Sequence, residues 1–116
     1  MSQPTFPLIV HDDERSVLRT ALDVYRGDFG HDEQAIVALV DEVLAALPAE
    51  ETTPLDLDAA AMKVTYGALH GLLEDSQRTQ EDDRAHLRAL LERLPGEHDI
   101  RAIDLDTELR RRREQG

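Results

Sequence analysis

The chain has 116 residues, 41% of them hydrophobic, with no cysteine and a formal net charge of −12. The missing cysteines exclude disulfides, thiolate zinc sites and cysteine nucleophiles. The charge argues against a broad nucleic-acid or anionic-membrane surface, and no apolar run approaches the ~20 residues that span a bilayer.

The N-terminus lacks a basic-then-apolar signal pattern, so the expectation is a soluble cytoplasmic protein. With two Phe, two Tyr and no Trp, any core must be aliphatic. The length suits one domain over residues 1–116.

In chain order, the first predicted element is a short extended piece, Leu8-Ile9-Val10, opening on Pro7. The acids of HDDE (His11 to Glu14) suit a helix start, where they complement the positive end of the dipole. Val17, Leu18, Ala21, Leu22 and Tyr25 then fall at helical spacing. RGDFGHDE follows, with Gly27 and Gly30 as helix-stop residues and HDEQ (His31 to Gln34) as the next start. Ile36, Val40, Val43, Leu44 and Leu47 form a second helical stripe. Pro48 closes it by disfavouring the α conformation at Leu47. Residues 49–53 read as a polar linker between prolines.

The second half begins with another extended piece, Leu55-Asp56-Leu57. Met62, Tyr66, Leu69, Leu72 and Leu73 mark a third helix, and Leu87, Leu90, Leu91 and Leu94 a fourth. Thr79 followed by Asp82 resembles a capping box, which places the break near Asp75–Thr79. One continuous helix from Asp58 to Leu94 is the alternative. In the arm over residues 96–116, a third extended piece, Ile103-Asp104-Leu105-Asp106, precedes the helix-like TELRRRREQG.

Residues 7–48 align with residues 54–95 without a gap, at an offset of 47. Ten positions are identical, among them Leu8/Leu55, Val17/Val64, Ala21/Ala68, Leu44/Leu91 and Pro48/Pro95, where the composition predicts roughly four by chance. We read this as a duplication: two copies of one helical hairpin, each preceded by an extended segment. The expected fold is therefore all-α with minor β, a four-helix body plus a C-terminal arm.

The sharpest chemical constellation is His70, Glu74, Asp82 and His86. The two pairs are each four residues apart and mirrored about residue 78, so an antiparallel hairpin would set them at one height. Two histidines and two carboxylates are an acceptable ligand set for zinc, manganese or iron. The structural alternative is a solvated electrostatic edge. No cofactor is expected otherwise. Ser2, Ser16 and Ser76 lack a nucleophile-elbow context, and no phosphate-cradling glycine loop is visible.

Helix three also carries small residues at Ala60, Val64, Gly67 and Gly71. Each interior glycine costs a helix about 1 kcal/mol relative to alanine, which calls for a packing reason. Close approach of a second chain supplies one. The expectation is a homodimer through this stripe, with Ile103 and Leu105 of the arm reaching the partner. Folding back of the arm as a third tiny strand is the alternative. The run Arg110 to Arg113 is expected to pair with acids of its own protein. The functional expectation is a non-enzymatic protein acting through protein–protein contacts. The rivals are a metal-dependent protein or enzyme using the histidine–carboxylate set, and an acidic inhibitor that imitates nucleic acid.

Overall fold

A computed structural model describes residues 5–29, 33–75 and 81–115. The fold is all-α with one minor two-stranded sheet. Gly30, His31 and Thr79, singled out above as turn or capping residues, lie outside the described residues, as does residue 78, the expected centre of the second turn. Among the described residues no helix is long and apolar enough to cross a membrane.

The strands β1 (Phe6–Leu8) and β2 (Leu55–Leu57) pair antiparallel, with Phe6 opposite Leu57 and Leu8 opposite Leu55. Alternation sends Leu8, Leu55 and Leu57 into the core and leaves Pro7 and Asp56 exposed on the other side. The first strand lies two residues earlier than the expected Leu8-Ile9-Val10. Val10 is buried all the same, just past the strand. Two strands of three residues do not stand alone in water, so packing on the helices holds this ribbon.

Helix α1 (Arg15–Gly27) buries Val17, Leu18, Ala21 and Leu22, and α2 (Gln34–Ala46) buries Leu39, Val40 and Val43. The HDDE acids do precede α1: the Glu14 N–H donates to the His11 carbonyl at 2.9 Å, and the Leu18 N–H to the Glu14 carbonyl at 3.0 Å. Gly27 ends α1 without a left-handed conformation, so its freedom is not what stops the helix. Helix α2 stops as expected, with Leu47 turned to ψ 120° before Pro48. Arg26 Nε donates to Asp41 Oδ1 at 2.7 Å and ties α1 to α2.

Helices α3 (Ala59–Glu74) and α4 (Glu81–Arg93) are separate, which removes the single long helix from Asp58 to Leu94. Asp58 caps α3, its Oδ1 accepting the Ala61 N–H at 2.9 Å. The buried positions of α3 are Ala60, Ala61, Val64, Thr65, Ala68, Leu69 and Leu72. Met62, Tyr66 and Leu73, expected in the main stripe, sit at its half-buried margins. Element bounds recur at the spacing of the sequence repeat: adding 47 to α2 gives 81–93, the bounds of α4. The same shift carries α1 onto 62–74, the last thirteen residues of α3. Burial recurs too, at Leu8/Leu55, Val17/Val64, Ala21/Ala68, Leu22/Leu69 and Val43/Leu90, while Leu44 and Leu91 are both half-buried.

The arm is helical, which corrects the expected third extended piece. Helix α5 (Glu97–Arg101) buries Ile100 against α3, and Lys63 of α3 donates from Nζ to the Ile100 and Arg101 carbonyls at 3.2 and 3.3 Å. Asp104 then starts α6 (Leu105–Gln115): its Oδ2 accepts the Thr107 hydroxyl at 2.8 Å and its Oδ1 the Asp106 N–H at 3.2 Å. The Asx-type cap uses Asp104 more effectively than a strand would, because the short side chain satisfies the free N-terminal amides.

Thr65 is fully buried and its hydroxyl has no partner among the described residues. Its counterpart at the 47-residue spacing is Leu18, also fully buried. Leaving a buried hydroxyl unpaired costs about 1–3 kcal/mol. Thr65→Val is therefore expected to stabilise the chain by about 1 kcal/mol, read as a higher urea midpoint at unchanged slope.

Candidate functional site

The predicted metal set does not assemble. Among the described residues no three His, Asp or Glu side chains converge on a point where an ion could be held. His70 instead stacks on Tyr66, with ring centroids 5.6 Å apart, and approaches Glu74 at 3.5 Å along its own helix. Glu74 and Asp82 are exposed and His86 is half-buried. Sequence spacing set each pair on one helix face but does not specify contacts between α3 and α4.

The small-residue stripe is likewise corrected. Ala60 is 1% exposed and Val64 fully buried, both within the chain's own core. A Cβ on Gly67 would meet the ring carbon and hydroxyl of Tyr25 at 3.2 Å, so the close approach that explains this glycine is made by α1. Gly71 is exposed, with open space where a Cβ would stand. Ile103 and Leu105 are half-buried, and Leu105 packs against the same core. Besides α1, helices α2, α4, α5 and α6 of the same chain lie against α3.

Of two charged arrangements, the pair of Glu14 with Arg93 was not anticipated, whereas Arg112 pairs with acids of its own chain, as expected for the run Arg110 to Arg113. Glu14, 3% exposed, accepts both Nη atoms of Arg93, the Nη2 contact at 2.8 Å, and also the His11 N–H at 2.9 Å. Arg93 Nη1 donates to the Ile9 carbonyl as well, at 3.1 Å. The pair joins the start of α1 to the end of α4 across 79 residues of sequence. Burial alone would raise the Glu14 carboxyl. The Arg93 hydrogen bonds, the His11 N–H and the nearby positive charge outweigh it and hold the group below its ordinary value.

The second arrangement stands where the repeat lacks that pair. The 47-residue spacing carries Glu14 onto Ala61 and Arg93 back onto Ala46. Both alanines line a cleft of about 170 Å³ between α2, β2 and α3. Val43, Leu55 and Leu57 give it an apolar floor, and Glu42, Asp56 and Asp58 an acidic rim. One wall is Arg112 of α6, whose Nη1 donates to Glu42 and Nη2 to Asp58, each at 2.5 Å. Asp58 thus serves twice, capping α3 through Oδ1 and holding Arg112 through Oδ2. Burial works against the Arg112 charge, but these two carboxylates more than compensate and raise its pKa. The Arg112 Nε is buried and without a partner among the described residues. So one end of the body is sealed by a residue pair, while the equivalent end is open and shielded from outside by an arginine. At these columns of the alignment one copy has a charge and the other an alanine.

Removing Arg93 strands a buried carboxylate. Arg93→Leu is expected to cost about 3 kcal/mol, whereas Glu14→Leu with Arg93→Leu together should recover most of that loss in urea unfolding. A carboxyl with a depressed folded pKa stabilises fully above its unfolded value and loses the contribution as pH falls through the folded one. The stability gap between wild type and Glu14→Gln is therefore expected to be constant near neutrality and to narrow below pH 4.5, the ordinary value for this group.

No family model matches the chain, and neither the curated proteins nor the solved structures contain a match to it.

Proposed function

We propose that the chain is a non-enzymatic protein-interaction module whose working surface is the acidic cleft between α2, β2 and α3. The observation that carries this reading is the contrast between the two ends of the body. Where the first hairpin begins, Glu14 and Arg93 fill the space; where the second begins, Ala46 and Ala61 leave it open. Apolar floor plus charged rim is the usual anatomy of a surface that takes up a side chain from a partner. Three carboxylates at the rim select for a cationic group.

The partner is a different protein in this reading. The two features that motivated a second copy are met within the chain: Tyr25 accounts for Gly67, and α3 accommodates the arm.

Affinity capture from lysate of the source cells tests it, using wild type beside Asp56→Arg. Asp56 is exposed at the cleft rim, on the face of β2 opposite the core leucines, so the variant should fold normally. The expected result is a protein retained by wild type and lost with Asp56→Arg. Retention unaffected by this change, but abolished by salt alone, contradicts the reading and favours an acidic mimic of nucleic acid.

A further inference from the structure

We infer that α6 is an exchangeable cover that the chain supplies for its own acidic cleft, latched there by Arg112, and that the external partner that displaces it is a basic amphipathic helix. This rests on the cleft being the interaction surface. The resident helix indicates the partner chemistry. Leu105, Leu109 and Arg112 stand at i, i+4 and i+7, one face of a helix, and these are the side chains α6 lays on the body. Two apolar anchors followed by a guanidinium between Glu42 and Asp58 is a helix-in-groove contact made in cis.

Three observations mark the contact as one that opens. No α6 residue with a described side chain is fully buried, whereas each of α1 to α5 buries at least one. A second opening of about 200 Å³ lies between α6 and α2, lined by Ala35, Ala38, Leu39 and Leu109, so α6 is not flush against the helix beneath it. The Glu42–Arg112 pair stands between this opening and the cleft and borders both. Finally, the buried Arg112 Nε finds no acceptor among the described residues, so the cis complex leaves unmade a bond that a differently placed cation would not need. An incoming basic helix gains the carboxylates that held Arg112 together with the apolar floor beside them, and α6 is set free, still attached through α5.

The probe is a fluorescein-labelled peptide of residues 103–116, titrated by anisotropy into full-length protein. The full chain carrying Leu109→Ala and Arg112→Ala should bind it at least ten-fold more tightly than wild type, because the cis competitor is weakened. Adding Asp58→Asn with Glu42→Gln should remove that gain; Asn keeps an oxygen for the Ala61 N–H, so the α3 cap survives. A peptide with glutamate in place of its four arginines should not bind. Circular dichroism checks that each protein is folded; should the double variant fail to fold, Arg112→Ala alone should show a smaller gain in the same direction. Equal affinity for wild type and unlatched protein overturns the inference, as does a gain that survives loss of the two carboxylates. Such a failure leaves the interaction reading intact, since that reading depends on capture and on Asp56.

Discussion

Everything in this fold depends on α3 being surrounded. All five other helices lie against it, and β2 leads directly into it. A helix placed centrally has to be slim where neighbours approach, and Ala60, Ala61, Ala68 and Gly67 make it so. Full burial of Leu69, Leu72 and Val64 then repays the ordering of the chain at roughly 1.5–3 kcal/mol per side chain. The glycine penalty at position 67 is offset by the Tyr25 ring lying over it. Because α3 is the hub, the second hairpin and the arm both take their positions from it.

Electrostatics then distinguishes two ends of the body. At one end, the Glu14–Arg93 pair crosses from the first hairpin to the last turn of the second and is shielded from solvent on the carboxylate side. A buried pair of this kind adds little net stability but makes any arrangement that separates its members costly. It works as a register pin between the halves. At the other end, Arg112 reaches Glu42 and Asp58 from outside, with more exposed partners and an Nε that has no acceptor among the described residues. The first contact is built into the core, and the second is laid upon it.

The all-α class, the break between α3 and α4, the α2 stop at Pro48 and the core positions Leu18, Ala21, Leu22, Val40 and Leu87 were all legible from periodicity and turn chemistry. These properties are local, written within a few residues. The arm was misread because Ile103-Asp104-Leu105-Asp106 alternates like a strand, while the Asp104 side chain prefers to cap the helix that follows. The stripe was misread for a different reason. Ala60, Val64, Gly67 and Gly71 do share a helix face, but only tertiary placement shows that Ala60 and Val64 lie in the chain's own core and that Tyr25 of α1 covers Gly67. The histidine–carboxylate set is not gathered at one point among the described residues, and no spacing along a single helix specifies contacts between two. The cleft was not legible, because Ala46, Ala61 and Arg112 are brought together only by the packing of α2, α3 and α6.

Native-state hydrogen exchange, read residue by residue, tests the central claim most directly. If α3 is the hub and α6 an added cover, amides of Val64 to Leu72 should exchange only through global unfolding. Amides of Leu109 to Arg113 should exchange through a local opening of clearly lower free energy, and Arg112→Ala should lower that opening free energy without altering the protection of α3. Equal protection of α6 and α3, or loss of α3 protection when Arg112 is removed, would contradict the account.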